Sequence, residues 1–185
     1  VAIKDSFAFI GNGPYVHTLS ITQLASPTIV GEYFAINGIV IEDVVVRDSL
    51  LYALTARTLL VLDCRNPRAL AKISEIQVTS FATWRLELAG GYAYIGTDGG
   101  IQIVDISDPS QPALRGYINT GEYAQSYGVS ESEKLYIGYQ FSDGFDVFDV
   151  SQTTNPVYDT SIVSDIEDWG LATQDTLLFA VGQIR

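Results

Sequence analysis

The two tryptophans of the chain, Trp84 and Trp169, each stand ten residues before an aromatic residue of a repeated pattern. The same position in two other segments holds Glu42 and Ser126. Aromatic and acidic side chains around a concave surface suit a sugar or a cationic group, through stacking and cation–π attraction. The alternative is that the tryptophans pack against a neighbouring structural unit. The predicted ligand-binding residues are Glu42, Trp84, Tyr123, Ser126, Asp168 and Trp169.

Acidic residues form two clusters in the second half of the chain, SDGFD and DIED. Hard cations such as Ca²⁺ take several oxygen ligands from one loop. Neither cluster has the D-x-D-x-D-G spacing with a distal Glu that marks a calcium loop. We therefore expect no cofactor and no dedicated metal site, and calcium is the one metal with candidate ligands. These ligands are Asp143, Asp146, Asp165 and Glu167.

Nucleophilic and transition-metal chemistry would depend on single residues. His17 is the only histidine and Cys64 the only cysteine, too few for a closed zinc site, and no G-x-S-x-G motif accompanies the histidine. We expect no catalytic residue, and we expect Cys64 to be a small structural residue or else a reactive or intermolecular thiol. Paired carboxylates for glycoside hydrolysis stay open, because acids are abundant and their separation cannot be read from sequence.

A repeat organises these residues. An aromatic residue between apolar neighbours recurs at spacings of 43, 42, 42 and 43 residues, at Phe9, Tyr52, Tyr94, Tyr136 and Phe179. A period near forty with several short strands per unit is typical of propeller blades. We expect these aromatic residues to fill the space between neighbouring blades.

A second landmark keeps the same register. Asp63, Asp105 and Asp149 each follow an apolar run and precede a turn, and Ser20 takes this place in the first repeat. An Asp at such a position accepts hydrogen bonds from turn amides. The three aspartates are therefore predicted to be structural.

The pattern within each repeat indicates four short antiparallel strands. TWRLELA, YAYIGT, IQIVDIS and ALRGYI are separated by Gly-Gly, Asp-Gly-Gly and Asp-Pro-Ser-Gln-Pro turns, and helical periodicity is absent. We predict an all-β fold, a β-propeller of ~42-residue four-stranded blades. Residues 1–185 form one repeat domain, four blades with part of a fifth, in a chain that could belong to a larger propeller. The predicted blades are 1–36, 37–78, 79–120, 121–163 and a partial blade 164–185.

The segment GYAYIGTDGGIQIVDISDPSQPALRG resembles the LVIVD-repeat proteins, which are named for the apolar-Asp strand. The match is close in residues 91–116, fair in 134–157 and 49–72, and weak in 6–31. The resemblance implies a β-propeller of bacterial or archaeal exported or surface proteins. It carries no catalytic motif that could be transferred to this chain.

The net charge of the chain limits the classes of partner that it can bind. The net charge is −12, and between residues 116 and 184 Lys134 is the only base against eleven acids. This field repels phosphate backbones, so we expect no nucleic-acid partner. No apolar run approaches the ~18 residues that span a membrane, so we expect no membrane span in this chain. The expected location is extracellular, cell-surface or periplasmic.

Three functions follow as hypotheses. The first is a non-enzymatic scaffold that binds protein or glycan at the cell surface or in an extracellular assembly. The second is a carbohydrate-active hydrolase or lyase domain with its site at the channel mouth. The third is a structural subunit that associates through open blade edges, since unpaired edge strands promote association. The partner there is another copy, or further sequence supplying missing blades.

Overall fold

The computed structural model describes residues 1–35, 39–79, 83–139, 143–174 and 177–184, and of residues 143, 164–169 and 183–184 it describes the backbone only. Every regular element in these ranges is a β-strand, and the strands form antiparallel sheets. No helix able to cross a membrane occurs in the described ranges. The predicted all-β fold is confirmed.

Four sheets follow one another along the chain, each with its strands in chain order. The first contains β1 (Ala2–Lys4), β2 (Phe7–Asn12), β3 (Tyr15–Ser20) and β4 (Thr28–Phe34). The second contains β5 (Ile41–Arg47), β6 (Leu50–Thr55), β7 (Thr58–Asp63) and β8 (Ala71–Gln77). The third contains β9 (Thr83–Ala89), β10 (Tyr92–Thr97), β11 (Gly100–Asp105) and β12 (Ala113–Asn119). The fourth contains β13 (Ala124–Val129), β14 (Lys134–Tyr139), β15 (Asp143–Asp149), β16 (Val157–Gln174) and β17 (Leu177–Ile184).

The fourth sheet has five strands because β16 is 18 residues long. Its first part pairs with β15, and its second part pairs with β17. The second pairing lies where the sequence predicted the start of a further blade. The four-stranded meander is the predicted propeller blade.

The described chain divides into two compact units, and each has its own core. Unit 1 comprises Val1–Leu86 and Ile106–Pro112, and unit 2 comprises Glu87–Asp105 and Ala113–Arg185. In unit 1 the run from Leu59 to Leu62 in β7 is buried at every residue. In unit 2 the apolar residues of β11 and β14 form the corresponding cluster. Apolar runs of this kind are covered on both faces.

The repeated aromatic residues are not all equally covered. Phe9, Tyr52 and Tyr94 are buried, Tyr136 is half-buried and Phe179 is exposed. In unit 2 the buried Tyr127 of β13 holds β10: its hydroxyl accepts the Gly96 N–H at 2.8 Å and lies 3.3 Å from the Tyr94 carbonyl oxygen. The predicted filling role therefore suits the first three of these aromatic residues.

Each sheet has a seven-residue loop between its third and fourth strands, here called outer loops 1 to 4: residues 21–27, 64–70, 106–112 and 150–156. In every outer loop the third residue accepts a backbone hydrogen bond from the amide three residues later. These bonds measure 2.8–3.0 Å and join Gln23 to Ser26, Asn66 to Ala69, Asp108 to Gln111 and Gln152 to Asn155. One turn geometry therefore recurs in loops of different sequence.

The aspartates that precede outer loops 2 and 4 accept hydrogen bonds from backbone amides of those loops. Asp63 accepts the Arg65 N–H and Asp149 accepts the Ser151 N–H, both at 2.9 Å. Asp149 also receives the Ser151 hydroxyl at 2.6 Å and Lys134 Nζ at 2.9 Å. The Ser151 hydroxyl, with Lys134 beside it, lowers the pKa of the Asp149 carboxyl well below its usual range. The Arg65 side chain likewise lowers the pKa of Asp63.

The third aspartate forms an ion pair across its outer loop. Asp105 Oδ2 accepts hydrogen bonds from Arg115 Nη2 at 2.7 Å and from Arg115 Nε at 3.0 Å. Arg115 lies on β12, which is the strand that follows outer loop 3. This ion pair therefore joins the two ends of that loop.

Outer loops 2, 3 and 4 press against the fourth strand of the preceding sheet. A Cβ on Gly31 would lie 2.6 Å from the Pro67 carbonyl oxygen, and one on Gly116 would lie 2.0 Å from that of Thr153. At the equivalent place the Ser74 hydroxyl donates to the Pro109 carbonyl oxygen at 2.6 Å. We call this place on a fourth strand the loop seat. Small residues occupy these three loop seats because the backbone of the outer loop approaches so closely.

Replacement of Gly116 by Ala tests the loop seat. The added Cβ would overlap the Thr153 carbonyl oxygen, so the free energy of unfolding should fall by about 1–3 kcal/mol. Gly170→Ala is the matched control, because a Cβ there meets no atom within 4 Å. Urea unfolding of both variants measures the difference. Equal stability of the two variants would contradict the close approach.

Replacement of Asp149 by Asn tests the structural aspartate. A carboxylate whose pKa is lowered by folding stabilises the fold above its unfolded pKa, and this stabilisation is lost as the pH falls through the folded value. Asp149→Asn should therefore be less stable than wild type at about pH 7, with a smaller difference at about pH 3. Glu131→Gln, which removes an exposed carboxylate, is the control. A deficit that is the same at both pH values would contradict this role.

Candidate functional site

One position near the start of three first strands carries an extra residue in a β-bulge. The pairs Ile41 with Thr55 and Asp43 with Leu54 leave Glu42 as the extra residue. By the same criterion Gln125 is extra in β13, and Trp169 is extra in the second part of β16. Bulges often redirect side chains beside binding sites. Glu42, Gln125 and Trp169 are therefore structurally equivalent.

The structure corrects the predicted equivalence of Ser126. Ser126 pairs with Gly138 one position past the bulge, and its buried hydroxyl has no hydrogen-bond partner among the described residues. The reason is the hairpin turn that follows β13: it has three residues, 131–133, whereas the turn that follows β5 has two, residues 48–49. Counting back from the aromatic residue assumed equal turns. The length of the SESEK segment between the two strands was the feature of the sequence that could have revealed the longer turn.

The other predicted ligand-binding residues fall in both units. Trp84 is half-buried on β9 in unit 1, which also contains the exposed Glu42. Tyr123 in unit 2 is 40% exposed, and burial of the rest raises the pKa of its phenol. The side chains of Asp168 and Trp169 lie outside the described residues. The gathering of the six residues at one channel mouth stays a prediction.

Of the four candidate calcium ligands, the structure describes the side chain of Asp146. Asp146 accepts the Tyr139 hydroxyl at 3.0 Å and the Ser161 hydroxyl at 2.5 Å. Burial, followed by this bond to Asp146, raises the pKa of Tyr139. The side chains of Asp143, Asp165 and Glu167 lie outside the described residues. Within the described part no three His, Cys, Asp or Glu side chains are grouped to hold a metal.

The single histidine and the single cysteine both have structural surroundings. His17 Nδ1 lies 3.3 Å from Glu32 Oε2, and its Nε2 lies 3.3 Å from Asn12 Nδ2. Cys64 begins outer loop 2, where its N–H donates to the Ser49 carbonyl oxygen. Burial raises the pKa of its thiol, which disfavours the thiolate needed for nucleophilic attack.

A cleft of about 630 Å³ lies within unit 2 and was not identified from the sequence. Its walls are the β9–β10 hairpin, the three-residue turn after β13, the start of outer loop 4 and the end of the long strand β16. Among the described residues, three carboxylates line it, from Glu87, Glu131 and Glu133, and no lysine or arginine does. The cleft therefore favours a cationic or hydroxyl-bearing ligand over an anion.

Tyr94 supplies the cleft with a hydrogen-bond donor. It is only 3% exposed, and it lines the cleft. Burial, reinforced by Tyr92 and Glu133, raises the pKa of Tyr94 to about 12. The phenol therefore stays protonated near neutral pH and can donate to an oxygen of a ligand.

The frame around Tyr94 is fixed by internal hydrogen bonds. Thr173 Oγ1 donates to the Val129 carbonyl oxygen at 2.7 Å, and the Ser130 N–H donates to the Lys134 carbonyl oxygen at 2.8 Å. Glu133 closes this turn with a positive φ of 58°. A three-residue hairpin loop ending in the left-handed region is a common turn, and here it fixes where Glu131 and Glu133 stand.

Solved structures with the same fold come from different proteins. A chain of a mitotic checkpoint complex matches 98% of this chain with a TM-score of 0.75 and 12% identity. A putative 6-phosphogluconolactonase from Bacteroides fragilis matches 94% with a TM-score of 0.72 and 13% identity. A protein from Lactobacillus plantarum matches 88% with a TM-score of 0.73 and 13% identity. This chain spans 59%, 54% and 57% of these three structures, respectively.

These identities are low, so the likeness shows the propeller fold alone. No curated protein matches the sequence. The family model for the LVIVD repeat matches residues 82–120, which include β9 to β12 and outer loop 3. The predicted resemblance is confirmed there: the third repeat of this β-propeller chain is an LVIVD repeat.

Proposed function

We propose that this chain is a non-enzymatic β-propeller scaffold that binds protein or glycan at the cell surface or in an extracellular assembly. The observation that carries the proposal is the cleft of unit 2, which is lined among the described residues by three glutamates and by Tyr94, whose phenol stays protonated near neutral pH. The net charge of −12 and the resemblance to exported LVIVD-repeat proteins support the setting.

The cleft lining defines the chemistry of the ligand. The carboxylates of Glu131 and Glu133 attract a cationic group, and their exposure on a turn leaves them accessible. The Tyr94 hydroxyl can donate to a neighbouring carbonyl or hydroxyl oxygen of the ligand. A lysine or arginine residue of a protein, through its side-chain cation and a backbone carbonyl oxygen, and an amino sugar of a glycan, through its ammonium and hydroxyl groups, both present this pair of groups.

The repeated acids support binding over catalysis. Asp63 and Asp149 hold the amides of their own loops, and the Tyr139 and Ser161 hydroxyls occupy both oxygens of Asp146. Glu131 and Glu133 are exposed on the cleft wall, where attraction of a cation requires no proton transfer.

The test is binding of defined cationic probes to the whole chain. Isothermal titration with a tetra-arginine peptide and a glucosamine tetramer should show binding of at least one probe. Glu131→Gln/Glu133→Gln should weaken it about tenfold, as expected for loss of about 1.4 kcal/mol. The weakening should diminish at high salt, because exposed charges are screened.

The matched control is Glu32→Gln/Glu75→Gln, which removes the same charge from two residues of unit 1 that do not line the cleft. This variant should bind like wild type. Equal weakening by both variants would indicate general electrostatic attraction and contradict a cleft site. Cleavage of the glucosamine tetramer by wild type, lost in the cleft variant, would contradict the non-enzymatic function.

A further inference from the structure

The contact between an outer loop and a loop seat is made three times within the chain. The residues at its centre are covered: Pro67 and Pro109 are half-buried, and Thr153 is 9% exposed. On the seat side, Gly31, Ser74 and Gly116 are half-buried as well. Each of these three contacts therefore buries part of an outer loop and part of a fourth strand.

Outer loop 1 has the same fold but is uncovered. Its Ser26 N–H donates to the Gln23 carbonyl oxygen at 2.9 Å, and its Ile21 N–H donates to the Ser6 carbonyl oxygen at 2.8 Å. These bonds reproduce those of outer loops 2 and 4. Leu24 stands where the other loops have Pro67, Pro109 and Thr153, and it is 83% exposed. A preformed loop therefore presents a leucine to solvent.

The loop seat of the fourth sheet is also uncovered. Thr160 pairs with Val147 and is preceded by a bulge residue, as Gly116 is where it pairs with Ile103. Unlike the other three seat residues, Thr160 is exposed. Two residues further, Ile162 is 43% exposed whereas its counterpart Ile118 is 4% exposed.

We propose that outer loop 1 of one copy docks on the Thr160 seat of a second copy, head to tail. Leu24 would cover Ile162, and the Thr160 hydroxyl would donate to the Leu24 carbonyl oxygen, as Ser74 does to Pro109. Such a heterologous contact builds rings or filaments. The inference rests on the loop seats and is independent of the proposed ligand cleft.

Charge favours outer loop 1 as the occupant. The seat lies beside Asp159, next to Thr160 in β16, and Asp149, at the end of β15; these two carboxylates share the one cation of Lys134, at 3.0 and 2.9 Å, so their group keeps a net negative charge. Outer loop 1 has the sequence ITQLASP and carries no charged side chain. In a chain with a net charge of −12, an uncharged loop approaches this strand without like-charge repulsion.

Disulfide trapping tests the contact. A Leu24→Cys chain and a tagged Thr160→Cys chain are mixed under mild oxidation, with the buried Cys64 retained in both. The mixed dimer should exceed its statistical share over the two homodimers. Replacing Thr160→Cys by Gln152→Cys, an exposed position on outer loop 4, should remove the excess. Statistical proportions, or absence of cross-linked species, would overturn the proposal.

Sedimentation equilibrium of the unmodified chain gives an independent readout. Wild type should associate as its concentration rises, and Leu24→Asp should reduce that association without lowering the melting temperature, because Leu24 is exposed. A wild type that stays monomeric at every concentration would overturn the proposal. So would a Leu24→Cys/Thr160→Cys chain that forms its disulfide only within one molecule.

Discussion

The contact between an outer loop and the preceding fourth strand is the constraint on which the blades depend. A four-stranded sheet cannot bury both faces alone, so each blade must be covered by a neighbour. The close approach of a loop carbonyl oxygen to Gly31 or Gly116 fixes the separation of neighbouring sheets. It also limits which side chains the seat accepts, since a Cβ at Gly116 would overlap Thr153.

The repeated aspartates serve this same contact. An outer loop can pack against the neighbouring strand only if its own conformation is fixed. A seven-residue loop needs hydrogen bonds to fix that conformation. Asp63 and Asp149 accept the amide two residues further on, while the third loop residue closes the turn. Cys64 and Val150, the first residues of two loops, donate back to the hairpin turn at the start of their sheets. The apolar-Asp strand is therefore an anchor for the loop.

The period of the sequence predicted the fold because strand length and loop length are set by backbone geometry. The four strands, the turn aspartates and the buried Tyr52 and Tyr94 all follow from it. The candidate site could not be predicted in the same way. Ser126 was assigned to the bulge position that Gln125 occupies, because one additional turn residue between β13 and β14 changes the register. The walls of the cleft come from four separate segments, which no local pattern connects.

The three-residue hairpin turn after β13 is also where the candidate site lies. A two-residue turn, as at residues 48–49, projects few side chains, whereas the three-residue turn adds Glu131 and Glu133 to the cleft. Glu133 adopts a positive φ there, a conformation that glycine or asparagine would take at lower cost. Asp5 and Asp48 adopt the same conformation in two-residue turns, so the feature that distinguishes the turn at the cleft is its length. The regular part of each repeat thus builds the scaffold, and its departures from regularity supply the surface chemistry.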